Sequence, residues 1–245
     1  MQYVLVCGGS GGIGSAFVRH FLSQPNTFVF ATFYSQPQRL AEWQLQYSDR
    51  LLPLALDITE EVQIAQIVEK IKTQTDRLHY AINCIGFLQT EGIQPEKNLR
   101  SLQSENLVRY FQVNSIGAVL LAKHLLPLFK HEDRSVFATL SAKVGSIGDN
   151  YLGGWYGYRA SKAALNMFMR SAALEYQRTC PNTIVVLLHP GTTDTELSRP
   201  FQTNVPPHKL FSPHRSVAYL TQVLDQLQPY HTGTFWSWDG SQLPW

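Results

Sequence analysis

The stretch YGYRASKAALN carries a phenol and an ammonium four residues apart, Tyr158 and Lys162. On a helix that spacing puts both on one face, a turn from each other. A free phenol titrates near ~10 and is a poor acid–base group at neutral pH. An ammonium held close favours the phenolate and lowers that value, which makes tyrosine a usable proton donor to a carbonyl under reduction. Alone, Tyr-x-x-x-Lys is more often an ordinary helix face, so the pair carries weight only with companions.

CGGSGGIG, residues 7–14, is one such companion, with five glycines in eight positions behind an apolar run. Gly8, Gly12 and Gly14 have distinct tasks in a strand-to-helix turn. One allows the tight turn, one lets the backbone approach a pyrophosphate, and one lets helix and strand pack closely. A helix starting here offers free N–H groups and its positive dipole end to phosphate. A bare glycine turn is the competing reading, but a strand before and a helix after is the context phosphate binding demands. Gly9 and Gly11 gain no task from the motif.

Both motifs need elements to hold them. Apolar, β-rich runs at 3–7, 27–33, 51–56, 79–84, 135–140, 183–188 and 233–238 alternate with helix candidates at 12–24, 38–47, 60–74, 103–130, 155–178 and 214–228. Continuous apolar runs suit parallel strands buried on both faces. In EEVQIAQIVEKI the apolar residues Val62, Ile64, Ile67, Val68 and Ile71 fall near helical spacing. Thr59 is the predicted N-cap, with Glu60 and Glu61 in the first turn. The alternation predicts right-handed βαβ units in an α/β fold, a doubly wound parallel sheet of about seven strands with helices on both faces. No linker-like change in composition interrupts it, so residues 1–245 read as one domain. Irregular stretches at 86–101 and 189–213 each follow a strand, at the edge where such folds bind ligands.

Composition narrows the classes further. The chain has 245 residues, 44% hydrophobic and 16% charged, with 20 basic and 18 acidic side chains for a formal net of +2. No basic cluster argues for nucleic acid or an anionic membrane. Cys7, Cys84 and Cys180 are scattered and form neither a metal-ligand spacing nor a disulfide framework, which suits a reducing compartment. No apolar run approaches the ~18 residues of a membrane helix. A cytoplasmic placement is expected.

Taken together, the Gly8-Gly12-Gly14 turn, NCIG at 83–86, Asn114, Ser141 and Tyr158-x-x-x-Lys162 resemble the short-chain dehydrogenase/reductase family, in order and spacing along nearly the whole chain. Within it, LSAKVGSIGDN, GGWYGYRASKAALN and the terminal DGSQLPW look like the C-factor and sniffer-type carbonyl reductase branch. The resemblance implies a single-domain Rossmann fold and a nicotinamide cofactor. It places Gly8, Gly12, Ile13 and Gly14 along the pyrophosphate, Asp57 and Ile58 at the adenine, and Asn83, Cys84 and Gly86 behind the adenosine ribose. It gives Asn114 a distorted helix and a part in a proton relay, and Lys162 a second bond to the nicotinamide ribose. Pro190 and Gly191 would wrap the nicotinamide, with Thr193 and Thr195 available to its carboxamide or phosphates. Residues 192–212 would form the substrate loop, and the helices at 103–130 and 155–178 would pair copies into a homodimer or homotetramer.

Three points depart from the family pattern. Cys84-Ile85 stands where Ala-Gly is usual, and Cys7 where a threonine commonly fixes the turn. The family also shows two adjacent polar positions at the serine, the second commonly catalytic, whereas Ser141 is followed by Ala142. Ser141 is the expected donor to the substrate carbonyl, with Ser146 as the alternative. NAD enzymes normally end the second strand in an acid that bonds the ribose 2′-OH. Here that strand runs into TFYSQPQRL, with no acid before Glu42, so NADP is expected, with Ser35 and Arg39 at the 2′-phosphate. The resulting expectation is hydride transfer between NADP and a small-molecule carbonyl or alcohol. The alternative is a cofactor-binding regulatory protein of the C-factor type with little turnover.

Overall fold

The apolar runs become strands because their side chains can be buried on both faces of a sheet. The computed structural model describes residues 1–245. In chain order it contains β1 (Gln2–Cys7), α1 (Gly12–Leu22), β2 (Thr27–Phe33), α2 (Gln38–Gln46), β3 (Leu51–Ala55), α3 (Glu61–Lys72) and β4 (Tyr80–Asn83). Then follow α4 (Ser104–Phe111), α5 (Gly117–Leu125), β5 (Ser135–Leu140), α6 (Tyr156–Thr179) and β6 (Thr183–His189). The chain closes with β7 (Thr192–Thr193), β8 (Leu210–Phe211), α7 (Pro213–Gln226) and β9 (Thr234–Ser237).

Seven strands form one sheet in the order β3-β2-β1-β4-β5-β6-β9, every neighbouring pair parallel. The order reverses between β1 and β4, so the crevice of a doubly wound sheet opens at their carboxyl ends. Alternation along β1 divides the interior. Leu5 and Cys7 face a core shared with Ile64, Leu121 and Tyr176 of α3, α5 and α6. Val4 and Val6 face the other core, with Phe17, Leu40 and Leu220 of α1, α2 and α7. No helix is long and apolar enough to cross a membrane.

Three expectations are corrected. Residues 103–130 do not form one helix: α4 passes through a π-helical turn at Gln112–Ile116 into α5, which ends in a 3-10 turn at Leu126–Phe129. Thr59 does not cap α3, whose N-cap position is Glu60 without a side-chain bond. Its N–H and hydroxyl instead both donate to Asp57 Oδ1, at 2.9 and 2.7 Å; short polar side chains often bond locally in this way rather than cap. The stretch 189–213 is not without strands, since β7 and β8 pair in parallel through Thr192–Leu210 and Thr193–Phe211.

Candidate active site

At the end of β1 the chain turns into α1 through Gly8, which adopts φ +75°, a conformation that favours glycine. Gly14 lies directly under the Gly8 carbonyl, where any Cβ would collide with it. Gly8 N–H donates to Thr32 Oγ1 at 3.0 Å. A threonine of β2 therefore fixes the turn in place of Cys7, whose buried thiol is pushed up to about 12 by desolvation. Gly9 is explained by packing, since a Cβ there would stand 3.0 Å from the Ala31 side chain and 3.1 Å from that of Val18.

A cavity of about 450 Å³ opens beside this turn, lined among others by Gly8, Tyr34, Asp57, Ile58, Cys84 and Gly86. Asp57 is held by the Thr59 bonds and by its own N–H, which donates to Gln63 Oε1 at 2.8 Å. Asn83 is buried, and its Oδ1 accepts from Ile85 N–H at 3.1 Å, which shapes the end of β4. The glycine cradle, the open crevice and the held carboxylate fit a dinucleotide. Ile13, in the first turn of α1, packs its partly buried side chain against the core. Ser35 is exposed on the β2–α2 loop. Arg39 folds back onto the glycine turn, donating to Ser15 Oγ at 3.1 Å and the Ser10 carbonyl at 3.4 Å. From across the crevice, the Pro190 carbonyl is anchored by Ser216 Oγ at 2.9 Å and Thr193 Oγ1 at 3.4 Å. Gly191 takes φ +73°. Thr195 lies over the turn, its Cγ2 only 2.5 Å from where a Gly12 Cβ would be.

The α6 helix buries Tyr158, Ser161, Lys162 and Asn166 on one face. Lys162 Nζ donates to the Leu140 carbonyl at 3.0 Å and stands 5.9 Å from the centre of the Tyr158 ring. It also borders the crevice, since a Cβ on Gly86 would lie 3.7 Å from Nζ and 3.9 Å from Asn114 Oδ1. Burial lowers the ammonium to about 8. Burial, with Tyr110 adding to it, pushes the Tyr158 phenol upward. The expected lowering of the phenol by Lys162 is therefore not the dominant effect here; desolvation governs both groups.

Asn114 sits in the π-helical turn, as its expected distortion requires, and π turns frequently mark functional positions. Its Oδ1 accepts from Phe87 N–H at 2.7 Å, while Nδ2 donates to the Phe87 carbonyl at 2.9 Å and Ser161 Oγ at 3.0 Å. Both candidate serine hydroxyls have partners within the protein. Ser141 Oγ donates to Asn166 Oδ1 at 2.6 Å, and Ser146 Oγ to the Trp245 carbonyl at 3.0 Å. The residue packed against the Leu88–Tyr110–Tyr158 cluster is Ala142. The cause is local: Ser141 continues β5, so its side chain projects to the α6 side where Asn166 waits.

The surroundings of Tyr158 are apolar. Phe87, Ile93, Val144, Trp155, Leu197 and Phe201 pack against the same cluster. Trp155 meets Phe201 edge-on at 4.8 Å between centroids and Tyr158 at 6.1 Å. Tyr151, on the loop before α6, is 87% exposed. His189 is kept neutral by burial, which lowers it to about 4. Sequence reasoning missed Thr32, Glu96, Tyr110 and Asn166. Asn166 alone had a signal, one turn beyond Lys162 on the same helix face.

A doubly wound sheet with a glycine cradle at the switch point and a buried tyrosine–lysine pair across it defines a dinucleotide-binding protein built for redox work. Residues 2–206 match the short chain dehydrogenase family, and the chain belongs to that family. The chain is 33% identical to the C-signal of Myxococcus xanthus over 140 residues, 57% of this chain and 79% of the relative. The NADPH-bound carbonyl reductase from chicken fatty liver superposes with a TM-score of 0.86 at 27% identity, covering 100% of this chain and 94% of that one. The carbonyl reductase Sniffer of D. melanogaster superposes with a TM-score of 0.87 at 25% identity, covering 100% of both chains.

Proposed function

We propose that this protein is an NADP-dependent reductase of small, uncharged carbonyl compounds, able to run in reverse on the matching alcohols. The observation that carries the reading is the placement of Lys162 Nζ, which borders the crevice at Gly86 and stands 5.9 Å from the Tyr158 ring. When bound, the cofactor supplies the hydride, and the chain supplies placement and electrostatics. Gly8, Gly12, Ile13 and Gly14 would hold its pyrophosphate, Asp57 and Ile58 the adenine, and Asn83, Cys84 and Gly86 the ribose. Pro190, Gly191, Thr193 and Thr195 would enclose the nicotinamide end. The neutral end of β2 and the cation of Arg39 favour a 2′-phosphate, with Ser35 beside it; the chicken relative is NADPH-bound.

Tyr158 gives its proton to the carbonyl oxygen as negative charge develops there. Lys162, charged below about 8, stabilises the phenolate left behind. Asn114 ties α6 to the Phe87 backbone and so holds the proton path beneath the site. Ser141 acts at one remove, by fixing Asn166 on α6. The wall of Phe87, Leu88, Trp155, Leu197 and Phe201 carries no charge, so an apolar or aromatic carbonyl fits it best. Copies would pair as a homodimer or homotetramer through α4 and α6, where Val108 and Met167 remain exposed; sedimentation measures this, and a monomer at micromolar concentration overturns it.

The test is NADPH oxidation against a panel of aromatic and aliphatic ketones, aldehydes and quinones. Turnover by the wild type, absent in Tyr158→Phe, supports the reading. One observation favours a second reading, a regulatory cofactor-binding protein: both candidate serine hydroxyls are committed elsewhere. Tight NADPH binding without oxidation across the panel would establish that reading instead.

A further inference from the structure

The loop after β4 delivers a carboxylate into the interior that the proposed chemistry does not use. Glu96 is 2% exposed. Its Oε2 accepts from Gly157 N–H at 3.1 Å, at the first turn of α6. Its backbone carbonyl accepts from Trp155 N–H, immediately before that helix. Two bonds from one residue thus hold the peptide segment that leads into Tyr158. The segment is strained: Trp155 adopts φ 52°, one of only two non-glycine residues with positive φ. Such conformations persist only where the surroundings over-determine them, and they cluster at functional sites. Space is equally restricted. A Cβ on Gly157 would lie 2.8 Å from Tyr110 Cε2 and 2.9 Å from Glu96 Oε1, so only glycine lets the carboxylate reach this turn. Tyr110 is itself fixed, its hydroxyl donating to the Leu88 carbonyl at 2.6 Å, and its ring meets that of Tyr158 edge-on at 6.4 Å.

We infer that Glu96 is a positioning residue, a clamp that sets where the Tyr158 hydroxyl sits by holding the strained entry to α6. The inference rests on the reductase reading for its kinetic consequence, but the clamp itself is measurable without turnover. Glu96 reaches no reacting atom; it acts through the backbone of Trp155 and Gly157. Because the same loop carries Phe87, Leu88 and Ile93, the clamp also ties one wall of the substrate pocket to the helix bearing the proton donor. The part Glu96 plays in the turn is that of an acceptor, so an amide should serve nearly as well as a carboxylate, while a side chain of similar length without an acceptor should not.

The experiment compares the full-length wild type with Glu96→Gln and Glu96→Met. Amide hydrogen exchange of the NADPH-bound protein is read at Trp155 and Gly157, and kcat and KM on the best carbonyl of the panel. Wild type and Glu96→Gln should protect the Gly157 amide alike and differ less than about threefold in kcat. Glu96→Met should lose that protection and at least about tenfold in kcat, since small misplacements of reacting groups are costly, with the Kd for NADPH within about twofold. Glu96→Asp, whose acceptor is drawn back by one methylene, should fall between them, and it takes the place of Glu96→Met if that variant does not fold. The clamp is overturned if Gly157 exchange is unchanged in the acceptor-deficient variant, or if the variant loses only thermal stability while kcat holds. It is also overturned if Glu96→Gln is as slow as Glu96→Met. A wild type that turns over nothing removes the reductase reading, and the exchange pattern then decides the clamp alone.

Discussion

The two sides of the crevice are built on opposite principles. The β1–α1 turn and the ends of β2 to β4 form a site from backbone and small residues, in which Gly8 N–H is held by Thr32, Gly14 leaves room for the Gly8 carbonyl and Asn83 bonds the backbone of Ile85. The β5–α6 side is built from buried functional groups, with Lys162 on a single carbonyl, Tyr158 in an aromatic cluster and a strained Trp155 at the helix entry. The first design suits a ligand whose phosphates are met by N–H groups, which cannot be lost by mutation except through the backbone. The second suits a reaction, because groups held out of water at some expense to stability are the ones whose proton affinity can be matched to a task.

That contrast can be broken most sharply at Tyr158. Tyr158→Phe should lower kcat by about a thousandfold while leaving the Kd for NADPH within a few-fold, because it removes only the proton donor. Stopped-flow loss of reduced-nicotinamide absorbance measures the first quantity and fluorescence titration the second. An equal loss in both would mean that the two sides are not separable.

Lys162 comes next. Lys162→Met should cost about a hundredfold in kcat and yet stabilise the protein. The sign follows from the folded-state value near 8 against the ordinary lysine value of 10.5. Between these values the unfolded chain binds more protons, so this group makes stability rise with pH across that window. Below about 8 the burial penalty is complete, on the order of 3 kcal/mol before the bond to Leu140 is counted against it. Thermal melts of wild type and variant at pH 7 and pH 10 should therefore converge as pH rises. The wild-type rate should decline above about pH 8 as the ammonium loses its proton. A variant less stable than wild type at pH 7 would contradict this account.

On the cofactor side the effects are smaller. Arg39→Met should weaken NADPH binding about tenfold and leave NADH unchanged, the loss of one charge-assisted bond to a 2′-phosphate. Equal losses for both nucleotides would assign Arg39 to the glycine turn alone, through Ser10 and Ser15. The smallest effect is expected from Ser141→Ala, within about threefold in kcat, since its hydroxyl is spent on Asn166. A direct carbonyl donor would instead lose about a hundredfold or more, and that result in steady-state kinetics would restore Ser141 to the substrate.

Much of the fold was legible because its signals are local. Each of the seven sheet strands follows an apolar run, and the glycine turn announces its strand and helix by position. The same holds for the Tyr158–Lys162 pair, whose shared face needs only the helical repeat. Where the structure departs from the local reading, a competing polar partner decides. Thr59 bonds Asp57 two residues back instead of capping α3, and Ser141 bonds Asn166 on α6. Glu96, in an irregular loop without periodicity, gave no sign that it reaches Gly157.

By itself, then, the sequence determined the doubly wound sheet, the glycine turn and the spacing of a phenol with its ammonium, since hydrophobic period, glycine stereochemistry and helical pitch act over a few residues. Tertiary structure alone decided which groups are desolvated, which hydroxyl has a partner and which carboxylate bonds the first turn of α6. Burial and hydrogen-bond partnership depend on what the rest of the chain brings alongside, and no local pattern records that.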